Sequence, residues 1–287
     1  MRIPPWIAYA FLAPALAGLL LFRVVPIFIA LVGSLFGTSL MGDSVFRGLG
    51  NYSGLANDPD FWNSVRVTLT FNLIVNPLQV VVAFLLALLM ARPGRFVGPL
   101  RTALVLPITV SIALTSVLWN ILLDPGFGPV NGLLRALSLP PQPFFRAEHQ
   151  SLATLIAVCT WRGAGYWMLF MLAGLGAIPP EVNEAASIDG VKALQRLRFI
   201  TLPLMRRTLA FVLIADTAVN FLLFAPVYVI TNGGPAGSTA LLMFEAYRAA
   251  FTYLDSGRSL AISSVILIII AAVAALEMRF FQAQDSA

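Results

Sequence analysis

Polar side chains inside otherwise apolar stretches are the residues of this sequence best suited to do chemistry. Asp216 and Asn220 stand four positions apart, on one face of a helix. Polar groups in a lipid-crossing helix are costly unless they face a cavity or another helix. A second apolar stretch combines aromatic and hydrogen-bonding residues: Cys159, Trp161, Arg162, Gly163, Tyr166 and Trp167. Aromatic rings beside polar groups suit the C–H faces and hydroxyls of sugars, so the two stretches predict a site for a sugar-like solute.

Other polar residues in apolar stretches have a simpler interpretation, which is hydrogen bonding between packed helices. We assign Asn72, Asn76 and Gln79 to such packing. Trp161 and Trp167 could equally belong to the belt of aromatic residues that forms at a membrane interface. These assignments predict that the three amide side chains contact neighbouring helices.

Two arginines inside apolar stretches each need a partner or a water-filled crevice. Arg23 falls near the middle of the first stretch, and Arg162 lies in the fourth. Asp216 could neutralise either cation, and the sequence does not choose between them. An internal pair of Arg162 with Asp216 that braces two helices is therefore as plausible as a shared role in binding a solute.

The elements that must position these residues are long apolar helices. The 287-residue chain is 59% hydrophobic and 11% charged, far more apolar than an ordinary soluble domain. About 20 apolar residues cross a bilayer, and stretches of this kind recur at 6–36, 67–90, 102–123, 152–178, 208–230 and 260–281. The first is too long for the apolar region of a cleaved signal peptide and should tilt or break at Pro26. We expect an all-α membrane protein, a single transmembrane domain over 1–287 with six transmembrane helices.

The net charge of +5 follows membrane topology and gives no indication of nucleic-acid binding. Basic residues are concentrated in the short connections that lie on the same side as the N-terminus, including 92–101 and 192–207, whereas most acidic residues fall in the opposite connections. By the positive-inside rule this distribution places both termini in the cytoplasm.

Several enzyme classes are excluded by missing residues. Lys192 is the sole lysine and Ala193 follows it, so the chain has no P-loop, and any ATP must be hydrolysed by another polypeptide. His149 is the sole histidine, which excludes an HExxH metal site. Cys159 is the sole cysteine, so no disulfide forms within the chain. We expect no enzymatic activity, no metal site and no cofactor in this chain.

One polar connection, residues 179–203, has a distinctive pattern. Its sequence from Glu184 reads EAASIDGVKALQRLRFITLP. Pro179-Pro180 suit a helix start, and Gly190 can adopt the positive φ that ends a helix. A second, basic helix should follow and end at Leu202-Pro203. The pattern predicts a bent pair of helices on the cytoplasmic side.

That spacing, with further motifs, carries a resemblance that covers nearly the whole chain. The motifs are PALAGLLLFRVVP, GLGNYSGL, RTALVLP, WNILLDPGFGPVNGLL, IPPEVNEAASIDG, TNGGPAGST and EAYRAAF. The chain resembles the sugar-type permease subunits of binding-protein-dependent ABC importers, particularly the maltose and glycerol-phosphate branch. The resemblance implies a type I importer permease fold in a bacterial inner membrane and alternating access between two packings. It implies as partners a second related permease subunit, a cytoplasmic ABC ATPase dimer that binds ATP and Mg, and an extracytoplasmic solute-binding protein.

The resemblance also assigns roles to residues. Those that would couple to the ATPase are Glu184, Ala185, Ala186, Asp189, Gly190, Ile200, Leu202 and Pro203. Those at positions that contact sugar in the maltose relative are Cys159, Arg162, Gly163, Tyr166, Asp216, Asn220 and Leu223. Of these, Gly163, Tyr166 and Asn220 keep the residue type seen there. The charged replacements Arg162 and Asp216 favour a more polar or ionic solute than maltose, such as an amino sugar or a glycerophosphodiester.

Two other functions compete with this interpretation. A secondary transporter or channel acting alone would explain the apolar helices and buried charges, and a membrane scaffold without transport would explain the helices. Neither accounts for the spacing of the 184–203 motif.

Overall fold

A computed structural model describes residues 5–38, 44–92 and 94–283, and this part of the chain is mostly helical. The α-helices are α1 (Pro5–Leu19), α2 (Val25–Gly33), α3 (Gly50–Ala56), α4 (Pro59–Met90), α5 (Val97–Thr109), α6 (Ile112–Leu122), α7 (Pro129–Ala136), α8 (Glu148–Gly176), α9 (Pro180–Ile188), α10 (Ala193–Arg196), α11 (Leu202–Phe221), α12 (Leu242–Tyr247) and α13 (Ser256–Ala283). Turns of π-helix occupy Leu20–Val24, Leu197–Thr201, Val227–Thr231 and Arg248–Thr252, and a 3₁₀ turn occupies Phe144–Arg146. An antiparallel hairpin that the sequence did not predict joins β1 (Phe36–Thr38) to β2 (Ser44–Phe46).

Long apolar helices confirm the membrane class. Within the described ranges, four helical segments are long and apolar enough to cross a membrane: Phe11–Gly33, Pro59–Met90, Glu148–Gly176 and Ser256–Phe281. The α5–α6 pair would be a fifth if it counts as one span. The expected count of six is compatible with this set if α11 also crosses, although α11 carries Arg206, Arg207 and Asp216. The chain termini, predicted to be cytoplasmic, lie outside the described residues.

Two of the predicted spans have the wrong form. The stretch 102–123 is not one helix, because α5 and α6 are bent by 101° at a break. Val110 and Ser111 are extended there, with ψ of 140° and 136°, so the helical hydrogen-bond ladder stops. The stretch 208–230 is also interrupted, because α11 ends at Phe221 and a separate helical turn follows Pro226, which has no N–H to continue a ladder. Apolar composition does not reveal either break.

Two prolines, Pro26 and Pro203, each follow a turn of π-helix that lets the helix continue. The predicted disturbance at Pro26 is a turn in which the N–H of Val25 bonds the carbonyl of Leu20, five residues back. The N–H of Leu202, just before Pro203, bonds the carbonyl of Leu197 in the same way. Because the wider turn absorbs the proline, the helix continues into α11. The prediction that Leu202-Pro203 end the basic helix is therefore wrong.

The chain forms two compact units, Met1–Phe61 with Glu245–Ile268, and Trp62–Phe244 with Ile269–Ala287. In the first unit, the NYSGL motif closes the end of α2. The amide of Asn51 donates to the carbonyls of Ser34 and Phe36, both at 2.7 Å, and the hydroxyls of Tyr52 and Ser34 are 2.7 Å apart. The first bond satisfies the carbonyl of Ser34, which caps the end of α2, and the second reaches β1 at Phe36.

The second unit contains the helices that form the candidate site. One buried apolar cluster centres on Phe71, Leu155 and Phe244, and another on Trp167, Met171 and Met205. The TNGGP loop is fixed to this unit, because Asn63 of α4 donates to the carbonyl of Gly237 at 3.0 Å. This packing holds α4, α8 and α11 side by side.

Candidate functional site

A cavity of about 220 Å³ lies in the second unit between α4, α6, α8 and α11. Every residue that the resemblance assigned to solute binding lines it: Cys159, Arg162, Gly163, Tyr166, Asp216, Asn220 and Leu223. The remaining lining residues are Gln79, Ile108, Ile112, Thr115, Ser116, Val158, Trp167, Val219 and Pro226. The structure thus brings the predicted residues together in one place, with charged, amide and aromatic groups in a largely apolar wall.

Small residues on α8 let other helices approach the cavity closely. A Cβ built on Gly165 would lie 1.8 Å from the carbonyl oxygen of Leu104, so α5 packs directly against the α8 backbone there. A Cβ on Gly163 would lie 2.6 Å from Oε1 of Gln79. Glycine at these two positions allows the approach of α5 and places the Gln79 amide in the cavity wall.

Asp216 is the most deeply buried charged group of the cavity, with a side chain only 1% exposed. Its Oδ1 accepts the indole N–H of Trp167 at 2.6 Å and the amide of Asn220 at 3.0 Å. Its Oδ2 is buried and accepts no hydrogen bond from the residues described. A buried oxygen without a donor is costly, so Oδ2 is the atom at which a ligand would gain most by donating a hydrogen bond.

A chain of polar side chains runs from the cavity towards α13. Asn220 donates to Oδ1 of Asn76 at 2.8 Å, and Asn76 donates to the hydroxyl of Thr217 at 2.9 Å. Thr217 in turn donates to Oε1 of Glu277 at 2.9 Å. The assignment of Asn76 to helix packing agrees with these contacts, as does that of Asn72, which accepts from Asn76 at 3.3 Å. Gln79 differs, since it lines the cavity.

Arg162 has no carboxylate partner among the residues described. Its Nη2 reaches the carbonyl of Val110 at 3.5 Å, and its Nε is buried without an acceptor. The bracing ion pair with Asp216 is therefore absent from this structure. Arg23, the other candidate partner, has an exposed side chain. Two uncompensated opposite charges consequently face one cavity.

The two tryptophans of α8 have different environments. Trp161 is 47% exposed and packs edge to face on Trp119, with ring centroids 5.2 Å apart. Trp167 is 5% exposed and is committed to its bond with Asp216. The interface-belt interpretation is therefore wrong for Trp167, and for Trp161 it stays a prediction.

The predicted coupling loop contains the expected turn. Gly190 has φ of +67°, the N–H of Val191 bonds the carbonyl of Ala186, and the N–H of Gly190 bonds that of Ser187. This pair of bonds is the Schellman motif, which ends α9. The glycine permits a backbone conformation that side chains with a Cβ disfavour.

Basic α10 folds back on α9 beyond that turn. Arg196 donates to the carbonyl of Asn183 at 3.1 Å and to Oγ of Ser187 at 2.5 Å. The apolar side chains of Ile188 and Leu194 are 86% and 75% exposed on this pair. Most residues assigned to ATPase coupling are exposed, namely Glu184, Ala185, Asp189, Gly190 and Pro203. Two of them, Ile200 and Leu202, are half-buried. Ala186 is buried, so it supports the loop from inside and does not form its surface.

Sequence reasoning missed several residues of the cavity. Thr115 and Ser116 reach it because α6 changes direction after Val110, a break without a composition signal. Gln79 stands three residues after Asn76 on α4, and that spacing could have placed it on the same face. No group of three or more His, Cys, Asp or Glu side chains is placed to hold a metal in the ranges that the structure covers.

Comparisons with known proteins agree on one family. The family of binding-protein-dependent transport system inner membrane components matches residues 79–285. The sn-glycerol-3-phosphate transport system permease protein UgpA of Agrobacterium fabrum is 32% identical over 276 residues, covering 96% of this chain and 94% of that protein. The lactose transport system permease protein LacF of Rhizobium radiobacter is 33% identical over 283 residues, covering 96% of this chain and 94% of that protein.

A solved structure confirms the fold. It is a bacterial alginate ABC transporter in complex with an alginate pentasaccharide-bound periplasmic protein. A chain of that structure superposes with a TM-score of 0.79 at 22% identity, covering 96% of this chain and 92% of the other. The chain therefore has the permease fold and belongs to the family of inner membrane components of binding-protein-dependent transport systems.

Proposed function

We propose that this permease subunit forms half of the translocation pathway of an ABC importer for a sugar-like solute. The observation that carries the proposal is the cavity between α4, α6, α8 and α11, which gathers all the residues assigned to solute binding. Its polar groups include the unpaired Oδ2 of Asp216 and the unpaired Nε of Arg162. A solute that donates to one and accepts from the other would remove both costs.

The class of solute follows from these charges and from the relatives. The relatives are named as permeases for sn-glycerol-3-phosphate and lactose, and these names support a polyhydroxylated compound or its phosphate as the solute. A guanidinium group matches phosphate oxygens well, so Arg162 would favour a glycerophosphodiester. Asp216 would favour the nitrogen of an amino sugar or a hydroxyl donor.

Transport would be driven by a separate ATPase dimer that docks on the α9–α10 pair. Exposed Ile188 and Leu194 supply an apolar contact surface, and Glu184 and Asp189 lie exposed beside them. The turn at Gly190 holds α9 and α10 at a fixed angle, so a displacement of the pair would be passed to α8 and α11. A second permease subunit completes the pathway, and a solute-binding protein delivers the solute to the outer side of the bacterial inner membrane.

The test is uptake by the assembled complex in proteoliposomes, in which this chain is combined with its partner permease, ATPase and binding protein. Labelled lactose, sn-glycerol 3-phosphate, glucosamine and glycerophosphocholine serve as probes, each with ATP or with a non-hydrolysable analogue inside. ATP-dependent accumulation of at least one probe supports the proposal. Uptake that is equal with the analogue indicates a transporter that acts alone, and no uptake of any probe refutes the solute class.

A further inference from the structure

Glu277 of α13 determines the direction of a buried hydrogen-bond chain that ends at the cavity. An ionised carboxylate accepts hydrogen bonds and cannot donate them. The hydroxyl of Thr217 must therefore spend its single proton on Oε1 of Glu277, 2.9 Å away. Having donated, the Thr217 oxygen can only accept from its other neighbour.

That requirement fixes the orientation of two amides in turn. Asn76 must direct its N–H₂ group at Thr217, and its second N–H reaches Asn72. Oδ1 of Asn76 is thereby turned towards Asn220, which must donate to it at 2.8 Å. The second N–H of Asn220 is used on Oδ1 of Asp216 at 3.0 Å.

Every hydroxyl and amide proton of this hydrogen-bond chain is then donated to another group of the protein, and the atoms that remain without a partner are acceptors. Trp167 uses its only N–H on Asp216 as well. Among the α11 residues that line the cavity, Asp216 and Asn220 are the polar ones. Oδ2 of Asp216 is buried without a partner in the described chain, and the two hydrogen bonds of Asn220 use only its N–H₂ group, which leaves its Oδ1 as an acceptor. The α11 wall therefore has acceptors to offer a ligand and no spare donor.

We infer that Glu277 and Thr217 are positioning residues that make the α11 wall of the cavity an acceptor surface, which selects ligands by their hydroxyl or ammonium donors. The inference rests on the proposed function only in taking the ligand to be the transported solute. The polarity of the wall is a property of the chain itself, and it can be tested without knowing the solute.

Cys159 provides the test, because it is the sole cysteine and lines the same cavity. The assembled complex is treated with three methanethiosulfonates of similar reach, which carry a 2-aminoethyl, a 2-sulfonatoethyl or a propyl group. Modification of this subunit is followed by intact-mass spectrometry, which separates Cys159 from thiols of the partner subunits. Rate ratios between reagents cancel the intrinsic reactivity of the thiol.

We expect the aminoethyl reagent to react roughly tenfold faster than the propyl reagent, since a hydrogen bond to a charged group is worth about 1.5 kcal/mol or more. Asp216→Asn should abolish this preference. Glu277→Leu should reduce it about fivefold, because the lost acceptor frees Thr217 and lets both amides turn. Glu277→Gln is the matched control, since its carbonyl oxygen can still accept from Thr217, and it should retain the preference. Thr217→Val and Thr217→Ser form a second pair with the same expected contrast.

Three results would overturn the inference. One is equal loss of preference in Glu277→Gln and Glu277→Leu, which would show that only the charge of Glu277 acts. Another is a wild-type complex that does not discriminate between the reagents. The third is a Cys159 that no reagent modifies, which would show that small molecules do not enter the cavity. If the complex takes up none of the probes in proteoliposomes but Cys159 shows the expected preference among the reagents, the proposed function is refuted and this inference stands.

Discussion

The indole N–H of Trp167 donates to Oδ1 of Asp216 across 2.6 Å, and this bond joins α8 to α11 at the wall of the cavity. Both side chains are almost completely buried, at 5% and 1% exposure. The bond satisfies one carboxylate oxygen and leaves the other free, so Trp167 orients the charge of Asp216 without neutralising it. A sequence in which both residues lie inside apolar helices predicts that each needs a partner, but it does not identify the pair.

Trp167→Phe should destabilise the complex and weaken solute recognition together. The phenyl ring keeps most of the packing, whereas loss of a hydrogen bond to a charged group costs about 1.5–3 kcal/mol. Thermal unfolding of the purified complex, followed by solute-stimulated ATP hydrolysis, measures both effects. Trp161→Phe is the matched control, because Trp161 is 47% exposed and should tolerate the change. Equal effects of the two substitutions would contradict the role assigned to Trp167.

Local patterns predicted much of the site, because they depend on short-range geometry. The spacing of Asp216 and Asn220 placed both on one helix face, and both line the cavity. Gly190 was predicted to end a helix, and it has φ of +67° at the end of α9. Each conclusion used only the 3.6-residue repeat or the steric freedom of glycine, and neither depends on distant parts of the chain.

The features that the sequence did not predict depend on long-range packing. The 101° bend between α5 and α6 occurs at extended Val110 and Ser111, within a stretch that is apolar enough on average to be predicted as one span. The close approach of α5 to Gly165 accompanies this bend, and composition carries no sign of it. Pro203 shows the opposite error, because the sequence predicted that a helix ends there, whereas a π-helical turn lets the helix continue through it. The hydropathy of a segment indicates whether it lies in lipid or in water, but it does not indicate where its helix bends or ends.

Gly190→Val should uncouple ATP hydrolysis from uptake. Nothing lies within 4 Å of a Cβ at this position, so the cost comes from the positive φ and not from a collision. A left-handed residue with a Cβ is disfavoured by roughly 1–2 kcal/mol, and a branched one more, which should shift the angle between α9 and α10. The ratio of solute transported to ATP hydrolysed measures coupling. Gly190→Asn is the control, since asparagine tolerates this conformation, and a normal ratio in the valine variant would argue against the docking role of the loop.

The orientation in the membrane predicts opposite labelling of two exposed positions. With Cys159 replaced by serine, a cysteine introduced at Ser256 should react with an impermeant maleimide added outside intact cells. One introduced at Ile188, which is 86% exposed in this subunit alone, should react only after the membrane is opened and the ATPase is removed. Ile188 is preferable to Ser187, whose hydroxyl is bonded to Arg196. The reverse pattern would place the coupling loop outside and overturn the orientation derived from basic residues.

An ion cluster in the first unit predicts a dependence of stability on pH. Glu245 is 3% exposed and lies 3.3 Å from Arg248 and 3.6 Å from Arg258, which also pairs with Asp58. Burial raises the pKa of Glu245 above 4.5, with Asp58 and Asp60 adding to the increase, while the two arginines oppose it. A carboxyl whose pKa is raised on folding stabilises the fold fully below pH 4.5 and loses this contribution as pH rises through the folded value.

Glu245→Gln should therefore remove a gain in stability that the wild-type complex shows as pH falls from 7 through the raised pKa of Glu245 towards 4.5. Thermal unfolding across that range measures the difference, and at pH 7 the variant should be as stable as the wild type or slightly more stable. Arg258→Gln should be destabilising at pH 7, because it leaves buried Glu245 with one cation fewer, and breaking a buried pair costs about 3–5 kcal/mol. Identical pH profiles of wild type and Glu245→Gln would exclude this residue as the source.

Arg162→Gln and Asp216→Asn should each reduce uptake while the complex still assembles. If the two side chains were an internal pair, each single substitution would strand a buried charge at a cost of about 3–5 kcal/mol, and the double variant would restore folding. The described structure contains no such pair, so neither single substitution strands a partner charge, and we expect both variants to assemble. Purified yield and thermal unfolding measure assembly, and uptake of the four probes measures preference. We expect both variants to assemble well. Asp216→Asn should reduce uptake of glucosamine relative to the neutral probes, and Arg162→Gln should reduce uptake of sn-glycerol 3-phosphate relative to the neutral probes. Poor assembly of both single variants with rescue by the double variant would show that the charges brace the helices and do not meet the solute.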